Sequence, residues 1–492
     1  MKLKPIKSPE TPEERVFNLI CNYVDIFQNQ QKDAYLIIEY KKNKELCFLS
    51  NQSMIENRIR EICFNELDKI VKKTCVDSIY KTILMQAKRT TDFVPTVRRL
   101  YFDGDQLIYN LGSNNAVLVT SYFCNALSKD KYNFKVNFHE ADGFRTQVFP
   151  IFKNTETLTE MLGKLMNVSG DDLFLLSIYI VSLFFDNISH PIIIFNGEHG
   201  ACKSTAMKMI CKIIDPDSKD ISSIPDKKDD LINTLYNSYF VPFDNVSVIK
   251  NDISDILCKA VTGNSLRKRK LYTDNDEVVL NIKRPIGING ISINMSQSDL
   301  IDRSIIIDFK RLSSHKRKTD SEIFGLFNEL LPKILGEIFK IVQKTIKLRA
   351  SVSVTKLPRM ADFAHLGFCI AEAMNEGDGN RFIDVYKYNN IKAVEDTLQN
   401  SALVTSVIDF MRDKSEWKGS ATGLLQELLN QFSVGSVPSD FPTTTNSLSR
   451  LLSKYKHDLS KLGVEVTVGR AKDRYIKLKT MKGETKGNDD LQ

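Results

Sequence analysis

The chain has 492 residues, of which 42% are hydrophobic and 26% charged, with a formal net charge of +7. That length exceeds one ordinary core, so two to four domains are expected, and the composition excludes a disordered or fibrous chain. The mild positive balance leaves nucleic acid open as a partner without identifying it.

The opening MKLKPIKSPETPEERVFNLI carries charges and prolines and no apolar core, so no secretion signal is expected. The longest apolar run, Leu173 to Phe185, is too short to cross a bilayer and predicts a buried helix. Nine cysteines are scattered without CxxC spacing, and six histidines form no HExxH. Reduced thiols in a cytoplasmic protein fit that usage, while a zinc ribbon or a protein-held catalytic metal does not.

Residues 1–155 read as a mixed α/β accessory domain. AYLIIEY and LCFLS have strand character, and NRIREICFNELDKIVKK predicts an amphipathic helix. LYFDGDQLIYNLG predicts a hairpin turning on Asp-Gly. Residues 156–398 form the second domain. TETLTEMLGKLM and the apolar run predict helices that lead into the strand PIIIF, a glycine-bearing loop and the helix STAMKMICKII. Residues 399–480 form the third domain, and the polar tail 481–492 is expected to be disordered.

The loop is Gly197, Glu198, His199, Gly200, Ala201, Cys202, Lys203, Ser204, Thr205. Strand, glycine loop and helix in this order form a phosphate-binding context, in which inward-turned amides and the helix N-terminus meet phosphate oxygens. Lys203 is suited to the β and γ phosphates of ATP and Ser204 to Mg²⁺. Cys202 replaces the usual glycine, at a cost only if that position needs a positive φ or lacks room. The strand run NSYFVPFDNVSV ends at Asp244, placed to join the Mg²⁺ shell; a strand-end turn is the plainer reading of such an Asp. RPIGINGIS brings Asn289 to orient water or touch the γ-phosphate. SDLIDRSIIIDF puts Arg303 before another strand, either as a trans-acting arginine or in an ion pair with Asp299 or Asp302. Arg359, in KLPRMADFA, is a second arginine suited to phosphate sensing.

With Lys203, Asp244, Asn289 and Arg303 in this order, the middle of the chain resembles an AAA+ ATPase. The fuller string VPFDNVS…LCKAVTGNSLRKRKLYTDNDEVVLNIKRPIGINGIS…DLIDRSIIIDF…LPRMADFA is similar to the helicase modules of mobile-element replication proteins allied to superfamily 3 and MCM helicases. The whole resembles the self-loading initiator-helicases of staphylococcal pathogenicity islands and cassette-chromosome elements. The resemblance implies an α/β fold with an AAA+ P-loop core in three layers about a parallel sheet. It also implies a hexameric ring with ATP between subunits and DNA in the pore. Gly197, Lys203 and Ser204 then match the Walker-A loop, Asp244 the Walker-B acid, Asn289 sensor 1, Arg303 the trans finger and Arg359 a sensor-2 arginine. Asn245 stands where many relatives carry a water-activating glutamate, which leaves Asp244 or Glu198 as the base, or hydrolysis slow.

Two regions are candidates for DNA. SLRKRKLYTDNDEVVLNIKRP predicts a hairpin turning at Thr273–Asp276, with Arg267, Lys268, Arg269 and Lys270 available to phosphates; a solvated charged turn is the alternative. The C-terminal region reads as a winged helix: two amphipathic helices, a third from Pro442–Thr443, and a basic two-stranded wing. Thr445, Asn446, Ser449, Arg450 and Lys454 fall on the recognition helix, and Arg470, Lys472 and Arg474 on the wing. From Thr443 to Lys479 there are nine Lys/Arg against three Asp/Glu, which favours phosphate contact over protein docking. The sequence expectation is therefore an ATP-dependent DNA helicase and replication initiator. An ATP-gated initiator or loader with weak hydrolysis is the alternative, and a protein remodeller without DNA is disfavoured by the basic C-terminal region.

Overall fold

The structure, a computed structural model, describes residues 2–28, 34–41, 43–49, 52–87, 89, 93–129, 131–132, 134–139, 143–217, 221–269, 277–290, 294–295, 298–312, 318–355, 357–399, 402–432, 437–438, 441–470 and 474–481. The first part runs α1 (Pro12–Ile20), β1 (Val24–Gln28), β2 (Ala34–Tyr40), β3 (Asn43–Phe48), α2 (Gln52–Leu67) and α3 (Lys73–Ala87). Then come β4 (Thr96–Val97), β5 (Leu100–Phe102), β6 (Gln106–Gly112), β7 (Asn115–Thr120), β8 (Cys124–Ser128) and β9 (Asn137–Phe138). The middle continues α4 (Leu158–Leu165), α5 (Gly170–Ser182), β10 (Ile192–Asn196), α6 (Lys203–Ile214), α7 (Lys228–Asn237), β11 (Val241–Phe243), β12 (Val248–Ile249) and α8 (Asn251–Thr262). It goes on through β13 (Ser265–Arg269), β14 (Glu277–Asn281), β15 (Ile286–Gly290), β16 (Asn294–Met295), α9 (Ser298–Ile301) and β17 (Ser304–Asp308). Three long helices follow, α10 (Asp320–Arg349), α11 (Ala361–Met374) and α12 (Asp378–Gln399). The last part holds α13 (Ala402–Met411), β18 (Glu416–Gly419), α14 (Ala421–Leu429), α15 (Thr445–Lys461), β19 (Val464–Arg470) and β20 (Arg474–Thr480).

The protein is a mixed α/β protein with a parallel sheet at its centre, in the order β11-β15-β10-β17. Its strands are short and isoleucine-rich because both faces are covered. Alternation of side chains sends Ile193, Phe195, Ile305 and Ile307 into one core with α5, α6 and α10, and Ile192, Ile194, Ile286 and Ile288 into a second with α7 and α8. The first core extends to Leu107, Tyr109 and Val117 of the antiparallel sheet β5–β8. The second extends to Leu424, Leu448, Val466 and Leu478 of the C-terminal region. At the open edge, β17 meets α12: the Asn389 side chain accepts from the Ile306 N–H (3.0 Å) and donates to the Ile306 carbonyl (2.6 Å). One amide thus satisfies an edge-strand donor and acceptor that would otherwise invite another strand.

The Asp-Gly hairpin forms as β5–β6, with Gly104 at φ 113°. The apolar run folds as α5, buried from Phe174 to Ser182, and the chain turns out of the helix after Ser182. No single described helix is long and apolar enough to cross a membrane.

Three expectations need correction. The helix expected to continue through Lys73 stops at Leu67, because Asp68 takes a left-handed φ of 51°; α3 is a separate helix. The third C-terminal helix begins at Thr445 rather than Pro442–Thr443, since the Thr444 hydroxyl accepts from the Ser447 N–H (3.2 Å) and caps the helix there. The wing has three strands: β18 pairs with β20, which also pairs with β19.

Candidate functional site

The phosphate-loop expectation falls at the C-terminal end of β10. Gly197, Gly200 and Cys202 all have positive φ, at 150°, 75° and 64°. A Cβ on Gly197 would stand 2.3 Å from the Phe309 carbonyl oxygen, so only glycine fits. Cys202 is the N-cap of α6 in left-handed conformation, which costs an L-residue about 1–2 kcal/mol. The positive φ is the condition under which cysteine carries a cost here. Its side chain is exposed, so room is not the constraint.

Lys203 opens α6 and is 9% exposed. Its ammonium donates to the carbonyls of Gly197 (2.6 Å) and Glu198 (2.9 Å), closing the loop on itself. Burial holds its pKa below the ordinary lysine value, with the Asp244 carboxylate acting the other way. One residue on, the Ser204 hydroxyl donates to Asp244 Oδ1 at 3.0 Å and accepts from Asn289 Nδ2 at 3.2 Å. Asn289 is 2% exposed on β15, opposite Phe195 of β10. Its Oδ1 accepts from the Asn245 N–H at 3.0 Å, and Asn245 has φ 54°. The ends of β10, β11 and β15 and the start of α6 therefore bring Ser204, Asp244, Asn245 and Asn289 into one bonded cluster next to Lys203.

The donor set fits Mg²⁺, a hard cation that takes oxygen ligands: a serine hydroxyl and a carboxylate oxygen meet here. Among the described residues no group of three or more His, Cys, Asp or Glu is placed to hold a metal, so a cation at Ser204 and Asp244 would draw its other ligands from phosphate and water. The Lys203 ammonium and the N-terminus of α6 suit an anion. Glu198 and His199 are exposed, Ala201 is buried and Thr205 half-buried.

Arg303 does not join this cluster. Its carbonyl accepts from the Ile192 N–H (2.7 Å), which puts it at the N-terminal end of the parallel strands, opposite the phosphate loop. Its guanidinium donates to the Asp299 carbonyl (2.9 Å) and pairs with the Asp299 carboxylate. Arg359 reaches the same place, at 2.6 Å from Asp299 and 3.1 Å from Asp302. Arg303 has 17% of its side chain exposed and Arg359 47%. Arg359 lies ahead of α11 rather than opening it. One residue at the phosphate-loop end was missed: Arg311, whose Nη1 lies 3.7 Å from Glu198 Oε2. An arginine three residues past an apolar parallel strand was the available signal.

The expected basic hairpin forms as β13–β14, pairing Arg267 with Val279 and Arg269 with Glu277. The side chains of Arg267, Lys268 and Arg269, all of Lys270, and the turn Thr273–Asp276 lie outside the described residues. On α15, Asn446, Arg450 and Lys454 are exposed at four-residue spacing and share a face, while Thr445 and Ser449 are half-buried. Arg470 closes β19 and Arg474 opens β20; their side chains, and Lys472 altogether, lie outside the described residues.

Residues 159–389 match the family model described as actinomycete integrative conjugative element replication protein, and residues 403–487 match the model of the RepA C-terminal domain of the same elements. No curated protein matches the chain. Among solved structures, the apo C-terminal region of NrS-1 (305–718) has a TM-score of 0.44 at 10% identity, covering 96% of this chain and 100% of that one. An A-form apo structure of the same region has a TM-score of 0.41 at 11% identity, covering 95% and 98%.

Proposed function

We propose, for a chain whose residues 159–389 and 403–487 match the models of integrative conjugative element replication proteins, that it is an ATP-dependent DNA helicase that initiates replication of a mobile element. The observation that carries this is the bonded cluster of Ser204, Asp244 and Asn289 behind Lys203, at the end of a parallel sheet. On this reading residues 156–398 are an AAA+ core of the superfamily 3 and MCM type. Residues 1–155 are an accessory domain and 399–480 a winged helix, similar in plan to the initiator-helicases of staphylococcal elements. The working form is a homo-oligomeric ring, taken as a hexamer, acting on DNA in the cytoplasm.

Lys203 and the amides at the start of α6 bind the phosphates of ATP. Ser204 and Asp244 would hold Mg²⁺, which neutralises charge on the transferring phosphoryl group. Asn289, buried and fixed by the Asn245 N–H, holds the Ser204 hydroxyl in place and stands beside the phosphate loop to orient water. Arg303 lies across the sheet from its own loop, so its phosphate partner is a neighbouring subunit's. The β13–β14 hairpin meets DNA in the pore, and the Asn446, Arg450 and Lys454 face of α15 meets origin duplex.

A second reading has one observation in its favour. Asn245 occupies the position after the strand-end acid and cannot take a proton from water, which suits an ATP-gated initiator or loader with slow hydrolysis. Strand displacement on a forked DNA with ATP and Mg²⁺ separates the two. Unwinding by the wild type and none by Lys203→Ala is expected. No unwinding by wild type with DNA binding intact would overturn the motor in favour of the switch.

A further inference from the structure

Two adjacent arginines outside the nucleotide site reach its two supports from behind. Arg98 and Arg99 precede β5, in the region whose role the sequence left open. The Arg99 side chain is 0% exposed. Its Nε donates to Asp215 Oδ1 (3.0 Å), Nη1 to the Asn110 carbonyl (2.9 Å), and Nη2 to the carbonyls of Arg145 (2.8 Å) and Pro216 (3.0 Å). The guanidinium lies 3.8 Å from the centre of the Phe144 ring.

Asp215 is the C-cap of α6. The last carbonyls of that helix are taken by the same region: Tyr109 donates to Ile214 (3.0 Å), and Gln147 donates to Lys212 (3.0 Å) and Ile213 (3.2 Å). A helix end normally leaves these acceptors to water or to its own next turn. Here Tyr109 of β6 and Gln147, which follows β9, supply the donors.

Arg98 shares Asp215, its Nε 3.4 Å from Oδ2, and reaches two further partners. Its Nη1 donates to the carbonyl of Asn237, the last residue of α7, and its Nη2 pairs with Asp217. Helix α7 leads into β11, which delivers Asp244. One arginine pair thus holds the far end of α6, whose near end carries Lys203 and Ser204, and the far end of α7, which feeds the Asp244 strand. A helix of 12 residues is about 18 Å long and behaves as a rod.

We propose that Arg98 and Arg99 are positioning residues for the nucleotide site. They fix α6 against β11, and so the separation of Ser204 from Asp244, and they link the β5–β8 region energetically to Mg²⁺-dependent ATP binding. The proposal rests on the reading of Lys203 as the ATP-binding lysine. Changes along a packed network that joins two distant sites alter their coupling by about 2- to 30-fold.

The test uses the full chain and a fluorescent ATP analogue, titrated with Mg²⁺ and again with EDTA. Arg98→Lys and Asp217→Asn are the variants, because both sites lie at the rim of the cluster and a lysine cannot span Arg98's three partners, Asp215, Asp217 and the Asn237 carbonyl. The expected result is an affinity about five- to tenfold weaker with Mg²⁺ and less than about a twofold change without it. Equal weakening under both conditions, or none under either, would overturn the proposal and leave the pair as fold stabilisers. If wild type and Lys203→Ala bind the analogue alike, it is the ATP-site reading that has failed.

Discussion

The two ends of the parallel sheet are built on opposite plans. At the C-terminal end, Lys203, Ser204, Asp244 and Asn289 bond to one another or to the loop, so geometry there is set within one chain. At the N-terminal end, Arg303 and Arg359 share Asp299 and lie partly open to solvent. An exposed ion pair such as Arg359–Asp299 contributes little to stability, about 0–1 kcal/mol, while Arg303 is the more buried of the two. The first end arranges its groups within one chain; the second holds cations that a more negative partner could take from Asp299. The two ends differ in what they bond to, and on the proposed function a neighbouring chain's N-terminal sheet end would bring Arg303 to this loop.

The largest expected effect tests that division. Arg303→Ala should lower ATP turnover by about 10³-fold, the scale at which an arginine supplied to a transferring phosphoryl group acts. ATP affinity should stay near wild type. Mixed with Lys203→Ala chains, it should recover part of the turnover, since the Lys203→Ala partner offers an intact Arg303 to an intact Lys203 loop. Steady-state ATPase on titrated mixtures reads this out, and absence of recovery would sink the trans assignment. Arg359→Ala in the same assay sharpens the comparison: being more exposed, Arg359 should show the same complementation if it and Arg303 act together, and none if it serves its own chain.

The division also explains what was legible in the sequence. The strand, the Gly197–Thr205 loop and the helix were readable because glycine spacing and apolar runs are local signals, and the meeting of Ser204, Asp244 and Asn289 followed from their order along the chain. What was lost depended on distant partners. The four residues of β18 have no strand signal of their own and form because β20 lies beside them. The end of α2 was invisible because the amphipathic pattern runs on past Asp68. Nothing local in TVRRLYF singles out Arg98 and Arg99, and only the fold brings Asp215, Asp217 and the ends of α6 and α7 to them. The left-handed Cys202 was visible only as a missing glycine.

A moderate effect is expected at Asp186, on the N-terminal side of the sheet. Burial pushes its pKa up to about 7, against a Phe102 N–H donated at 3.1 Å and the charges of Arg284 and Lys283. In the unfolded chain the carboxyl ionises near its ordinary value of 3.8. Between about pH 4 and 7 the folded state therefore holds more protons, so this group's contribution to stability falls as pH rises through that window and levels off above it. Asp186→Asn retains an acceptor for the Phe102 N–H and cannot ionise. The stability difference between Asp186→Asn and wild type should thus grow from pH 4 to 7 in favour of the variant, measured by denaturant melts at several pH values. A difference that does not change with pH would show that Asp186 ionises as freely in the folded chain as in the unfolded one.

The smallest expected effect separates backbone from side chain at the loop itself. Cys202 has φ 64° and an exposed thiol, so its cost comes from the Cβ in a left-handed conformation and not from crowding. Cys202→Gly removes that cost of about 1–2 kcal/mol. Part of the gain is returned, because glycine frees the unfolded chain by about 0.4–1 kcal/mol. The net change should be a stabilisation of about 0.5–1 kcal/mol, read locally as slower amide exchange in the first turn of α6 by a factor of about two to five. Cys202→Ala retains the Cβ and should gain nothing. Equal slowing in both variants would mean that the thiol, rather than the backbone, is what the loop resists, and the comparison with Gly197 and Gly200 would no longer hold.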